Sequence, residues 1–416
     1  MIQYFALSSL KSVSPDILDL RFCFYIYQGG NMTKTHKPGK MLMVSIISLS
    51  MLTVMAGAAV APALNVIKAY FSDCDPMFVQ MIVSMPAIFI FLTRFIFPKL
   101  CNHMGSKSLV TLGLVLYVAG GCAAGLFNNI VPVLIMRAIV GIGVGIIMPL
   151  STGLLAFYFP ADKQAHLMGL SSAMNQMGGV IATLISGVLA SISWRATFLV
   201  YLMGLISIIL CLFFMHNDRM HAEEHHDSAK GHWHVFKDNN VFIIAMFLHM
   251  AMFFIYPTNF AIETVKEGII PAGLIAVIMA GMDLVAFFGG LLFVRTKRIL
   301  KKQMRFCAPC IFLIGYILMA LIGGWTGILL GSVFVGFANG VGVPFIMSEA
   351  SMKAGKSAAT TVMPMLSAAL YLGQFLSPIL TGAVAGIFGE VLYLPYYFGI
   401  GVSALAVLWS ARIHAK

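Results

Sequence analysis

Residues 137–149 read Arg137-Ala-Ile-Val-Gly141-Ile-Gly-Val-Gly145-Ile-Ile-Met-Pro149, and residues 336–344 read Gly336-Phe-Ala-Asn-Gly340-Val-Gly-Val-Pro344. Advancing by 195 positions carries Gly141, Gly145 and Pro149 onto Gly336, Gly340 and Pro344. The register then holds without a gap: Met168, Ser172, Ala173, Gly178, Gly187 and Ala190 fall on Met363, Ser367, Ala368, Gly373, Gly382 and Ala385. Five of these nine identities are Gly or Pro. In a membrane helix those residues let backbones approach closely or permit a bend. Bends repeated at matching places predict an internally duplicated chain, two packed halves around a central pathway.

Composition supports the membrane. Hydrophobic residues make up 60% and charged residues 10% of 416 positions, with a mean hydropathy of +0.94; soluble domains carry about 25% charge. Twelve apolar runs are long enough to span a bilayer as helices: 41–66, 77–97, 108–127, 130–156, 167–190, 196–215, 241–261, 270–294, 306–323, 325–347, 358–384 and 393–411. Membrane β-barrel strands alternate polar and apolar and are shorter, so that class is excluded. The expected fold is an all-α polytopic protein of about twelve transmembrane helices in two pseudo-symmetric six-helix bundles.

The net charge of +11 is a topology signal and not a nucleic-acid footprint. With the amino end inside, nineteen Lys and Arg fall in presumed cytoplasmic segments, against Lys68, Arg195 and Lys266 on the other side. This positive-inside bias places both termini in the cytoplasm of a multi-pass protein, here read as one of a bacterial inner membrane.

The expected organisation is a 1–40 amino-terminal extension and tail, a 41–215 bundle, a 216–240 His-rich cytoplasmic linker, a 241–411 bundle and a 412–416 tail. Residues 1–31 fit neither a signal peptide nor a span. Met32 is the expected initiator, since Gln28-Gly29-Gly30-Asn31 can be encoded by a purine-rich ribosome-binding stretch. The linker holds His216, His221, His225, His226, His232 and His234. It lacks fixed ligand spacing, so it reads as a solvated connection, with Zn²⁺ or Ni²⁺ binding as the alternative. Seven scattered cysteines, including Cys307 and Cys310 in a CxxC, imply no disulfide framework.

The loop Pro98-Lys-Leu-Cys-Asn-His-Met-Gly-Ser-Lys107 resembles the hallmark loop of the major facilitator superfamily, G-x-L-A-D-R-x-G-R-K/R. Leu100, Gly105 and Lys107 match, while Asn102 stands for Asp and His103 for Arg. The resemblance makes Asn102, His103, Gly105 and Lys107 a gating loop. Its charged latch becomes a neutral hydrogen bond or one dependent on His protonation. Leu134-Ile-Met-Arg137-Ala-Ile-Val-Gly141-Ile-Gly143 is similar to the family's L-x-x-R-x-x-Q-G-x-G, with Val140 for Gln. Ser193-Trp194-Arg195-Ala-Thr-Phe198 is similar to its W-R-x-x-F. The antiporter Gly-Pro pair is absent from the fifth segment, where Ala182-Thr183 stands.

Polar residues inside apolar helices are the candidate site. Asp283 is the one acid expected at mid-bilayer, where a neutral residue would be far cheaper; it reads as a coupling or cation-binding group, or as a structural partner of an Arg. Arg137, seven residues into its helix, reads as a substrate or proton-coupling contact, as the resemblance implies, or as a packing Arg bonded to carbonyls. Arg94 is expected to snorkel to the headgroups. His249, Asn65, Gln176 and Gln374 complete the expected pathway, although membrane amides often join helix to helix.

There is no P-loop, HExxH or G-x-S-x-G, so ATP does not drive the protein directly and no enzyme is expected. No cofactor or resident metal is expected. The reading is a monomeric secondary transporter of a small organic solute by alternating access, proton-coupled, of drug or metabolite efflux type. Organic-anion or metabolite uptake, metal or metallophore transport, and a non-transporting sensor are the alternatives. The expected partners are the solute, H⁺ and the lipid bilayer, with no nucleic acid.

Overall fold

The computed structural model describes residues 39–218, 229–389 and 391–413. Every regular element among them is helical. The expected extension through residue 31, with Met32, lies outside the described residues, as do His221, His225 and His226.

The chain opens with α1 (Lys40–Ala58), a turn of 3₁₀ helix at Ala61–Ala63 and α2 (Leu64–Tyr70). The break follows from Pro62, which cannot donate to the helical ladder. Then come α3 (Pro76–His103), α4 (Ser106–Ala123), α5 (Ile130–Tyr158) and α6 (Ala161–Ile192). Two starts are explained by local chemistry. Asp75 Oδ1 accepts from Met77 N at 2.8 Å with Pro76 at the first helical position, and Asn129 Oδ1 accepts from Val131 N at 2.9 Å. A 3₁₀ stretch at Ala196–Leu202 leads into α7 (Met203–Phe214).

The second half comprises α8 (Ala229–Glu267), α9 (Ala272–Leu300), α10 (Met304–Ile317), α11 (Gly324–Phe388) and α12 (Leu394–Ser410). Helix α8 begins inside the expected 216–240 linker. Helix α11 holds two apolar spans, Gly324–Ala354 and Val362–Phe388. Asn339 on the first and Gly373 on the second both meet residues 247–249 of α8, so the chain reverses between them.

Among the described residues, ten helical runs are long and apolar enough to cross a membrane, and Leu394–Ser410 is a shorter apolar helix. All twelve expected segments fall in these eleven helices, because Ala272–Ile322 contains both 270–294 and 306–323 within a residue or two. Only a turn of 3₁₀ helix at Lys301–Gln303 separates that pair.

The repeated glycines sit at repeated crossings. A β-carbon at Gly141 would lie 2.4 Å from the Pro86 carbonyl oxygen, and one at Gly336 would lie 2.4 Å from that of Met282. Gly178 abuts the Met51 carbonyl and Gly373 that of Phe247 in the same manner. The duplication is thus physical: the same small residues let the same pairs of helices touch in each half.

Candidate transport pathway

Among the described residues, two main seams join the halves. In the first, α6 meets α9: a β-carbon on Gly187 would collide with Ala276 Cβ, and Thr183 Oγ1 donates to Asp283 Oδ2 at 3.4 Å. In the second, α3 meets the Val362–Phe388 span of α11. Here Met77 packs on Gly382, Gln80 Nε2 donates to Asn259 Oδ1 at 2.7 Å, and Thr381 Oγ1 donates to Gln80 Oε1 at 3.4 Å. Further along that seam the Arg94 guanidinium lies 5.2 Å from the Tyr371 ring centroid, and the Tyr371 hydroxyl donates to Met148 sulfur at 2.9 Å.

Asp283 is therefore between the halves and half-buried. Gly179 leaves room beside its carboxylate, since a β-carbon there would approach Oδ2 to 3.7 Å and Val54 of α1 to 2.9 Å. Gln374 is buried and faces Gly57 of α1 across the other seam. Gln176 on α6 and Asn65 on α2 are half-buried.

Arg137 has a different setting. It is fully buried within the first half. Its Nε donates to the Ile82 carbonyl at 2.7 Å, and its terminal nitrogens donate to the Ala56 carbonyl and the Tyr201 hydroxyl. Both carbonyls need an outside donor. Ile82 lies four residues before Pro86, which has no N–H to offer it, and Ala56 lies in the last turn of α1. Tyr201 also donates to Ala56 O at 2.9 Å, so one guanidinium ties α1, α3, α5 and the 3₁₀ stretch together. In the second half Ser332 takes the equivalent position and shares a 2.9 Å hydrogen bond with Tyr256.

His249 is buried inside the second half, 3.3 Å from Asn339 Oδ1 and edge-on to Phe312. The expected site residues are thus dispersed: Asp283 and Gln374 lie on the seams, Arg137, Asn65 and Gln176 on helices of the first half, and His249 inside the second.

The loop after α3 docks on the end of α7 and residues 216–218. Lys107 Nζ donates to Leu212 O at 2.6 Å, Ser106 N to Asp218 O at 2.8 Å, and Tyr158 Oη to Asp218 Oδ2 at 2.6 Å. Gly105 admits Asn217, whose amide oxygen would lie 2.2 Å from a β-carbon there. His103 Nδ1 is 2.8 Å from Lys99 O, and Asn102 is exposed. Asn217 and Asp218 did not emerge from the sequence because they match no motif.

Arg94 departs from the snorkelling expectation, facing Tyr371 of the other half. Gln80, Asn259 and Thr381 were likewise not singled out. A lone amide at Gln80, in the apolar run after Pro76, was the signal available.

Among the described residues no group of three or more His, Cys, Asp or Glu side chains is placed to hold a metal ion.

The chain matches the Major Facilitator Superfamily over residues 43–378. It belongs to that family. Its members are membrane transporters of small molecules, not enzymes. Among curated proteins it is similar to the quinolone resistance protein NorA of Staphylococcus aureus, 24% identical across 74% of this chain and 80% of NorA. A shorter match, 29% identical over 27% of this chain and 21% of the relative, is to the multidrug transporter protein MdtP of Bacillus subtilis. The riboflavin transporter RibZ of Clostridioides difficile is 25% identical across 33% of this chain and 30% of RibZ. Among solved structures, a mutant of the nucleoside transporter NupG superposes with a TM-score of 0.76 at 12% identity, covering 89% of this chain and 99% of that one. An inward-facing bacterial homologue of the lysosomal transporter Spinster gives 0.66 at 13% identity, covering 94% of this chain and 95% of that one.

Proposed function

We propose that this transporter is a proton-driven exporter of small amphipathic organic molecules, acting as a monomer in a bacterial inner membrane. The Lys107 end and both termini would be cytoplasmic. The observation that carries the reading is the position of Asp283, a carboxyl group in an apolar helix at the seam between α6 and α9.

A carboxyl group there is costly in hydrocarbon, and its presence despite that cost points to a role in transport. Its environment must change when the halves rock, because Thr183 belongs to one half and Asp283 to the other. Proton uptake and release at that group would then be tied to the movement. The names of NorA and MdtP favour efflux of drug-like compounds, and the positive-inside distribution favours the assigned orientation.

A second reading has one specific observation in its favour. Arg94 lies over Tyr371 across the other seam, a cation suited to an organic anion. The test is flux in proteoliposomes under an imposed pH gradient, with ethidium as the lipophilic cation and benzoate as the organic anion. Gradient-driven ethidium flux lost in Asp283→Asn supports the first reading. Benzoate flux lost in Arg94→Ala but kept in Asp283→Asn supports the second, and flux of neither opposes both.

A further inference from the structure

At the end of the bundle that carries Lys68 and Glu263, a cavity of about 280 Å³ opens between the halves. Its walls come from both, with Lys68, Asp75 and Met77 on one side and Ile262, Glu263 and Leu394 on the other. Its lining also includes Gln80, Asn259 and Thr381, and these three are the deep part of it: they are exposed by 8%, 1% and 4%. Gln80 Nε2 donates across the seam to Asn259 Oδ1 at 2.7 Å, and Thr381 Oγ1, whose one proton is shared with Ser377 O and Pro378 O of its own helix at 3.1 Å, faces Gln80 Oε1 at 3.4 Å. Asn259 is held in place by its own helix, its Nδ2 donating to Ile255 O at 2.9 Å and to Thr258 Oγ1 at 3.0 Å.

We propose that Gln80, Asn259 and Thr381 are the latch that holds this end of the pathway shut, with the cavity above them as the closed mouth. The chemistry suits a joint that must open and reclose. Buried amide and hydroxyl groups are costly when left unpaired, so in the shut state they select one register of α3 against α8 and α11. When the halves separate, entering water replaces each lost partner, so the net cost of opening stays small. An apolar contact of the same area would have no such replacement. The flanking packing of Met77 on Gly382 joins two of these three helices, α3 and α11, so it parts in the same movement. The inference goes beyond the proposed function, since it depends on neither the substrate nor the coupling ion.

The test is electron–electron double resonance on protein lacking native cysteines. Spin labels on Ser72→Cys and Val391→Cys, two exposed positions at this end on opposite halves, report the opening. Removing one buried hydrogen bond should raise the ratio of long to short distances by about two- to tenfold. That rise is expected for Gln80→Ala, for Asn259→Ala and for Thr381→Val. Gln80→Met, which keeps the length of the side chain, guards against a packing artefact and should act alike. Thr381→Ser keeps the hydroxyl and should restore the original distribution. Because Gln80 and Asn259 share one bond, Gln80→Ala with Asn259→Ala should add little to either alone. Unchanged distributions in all the variants would overturn the latch. So would an equal rise in Ser191→Ala, whose exposed hydroxyl bonds only the Val188 carbonyl of its own helix and touches no latch residue.

Discussion

Thr183 Oγ1 of α6 donates to Asp283 Oδ2 of α9 at 3.4 Å, and this contact joins the two halves of the chain at a carboxyl group. Gly179, one helical turn before Thr183, keeps the space beside that carboxylate open. A hydroxyl is a partner that can donate to an ionised carboxylate or accept from a protonated one. The contact can therefore persist in either protonation state.

The Arg137 assembly makes a stability prediction distinct from transport. Tyr201→Phe removes the hydroxyl that bonds both Arg137 and the Ala56 carbonyl. A buried charged donor losing one such partner costs about 1.5–3 kcal/mol. The variant should unfold in detergent at a clearly lower temperature than the parent. Arg137→Lys should not compensate for loss of the guanidinium, because one ammonium cannot reach three acceptors spread in a plane.

The repeated glycines predict paired phenotypes. Gly141→Val and Gly336→Val each place side-chain atoms where a neighbouring carbonyl stands 2.4 Å from the β-carbon. Both should reduce folded protein sharply, since overpacking costs about 1–3 kcal/mol and more when backbone is the obstacle. Gly169→Val, where a β-carbon meets nothing within 4 Å, should be tolerated. Yield of monodisperse protein after size-exclusion chromatography checks all three.

Lys297 on α9 reaches Glu349 on α11 at 2.8 Å, an ion contact in which Glu349 is buried. Lys297→Met would leave that carboxylate unpaired, at a cost of about 3 kcal/mol. Adding Glu349→Gln should return most of it, because no buried charge then remains. Thermal unfolding of the single and double variants measures the difference. Equal midpoints for the two would contradict the pairing.

The fold was legible because it follows from properties that hydropathy and small residues record directly. Twelve apolar runs had to be helices, since a backbone in lipid must satisfy its own hydrogen bonds. Gly141 and Gly336 could be paired by counting alone. The break after α1 is written in Pro62, whereas the start of α8 inside the expected linker was less visible, because charge and polarity do not end a helix by themselves. Asp283 stood out as an acid among apolar neighbours. Arg137 stood out in the same way, yet the carbonyls that hold it are backbone atoms of Ile82 and Ala56, which no side-chain pattern encodes. Its need for Pro86 was nevertheless present as a missing N–H four residues after Ile82. Arg94 looked like a headgroup anchor because sequence distance from the helix end says nothing about the facing helix. The Gln80–Asn259 contact spans 179 positions, and only the folded chain brings it together.

The most direct test of proton coupling follows the proton itself. A pH-sensitive dye sealed inside proteoliposomes reports H⁺ movement when ethidium is added to one side, in the parent protein and in Asp283→Asn. The proposed exporter predicts a substrate-dependent pH change in the parent and none in the variant, while the variant still exchanges labelled for unlabelled ethidium. Undiminished substrate-dependent proton movement in Asp283→Asn would contradict the account.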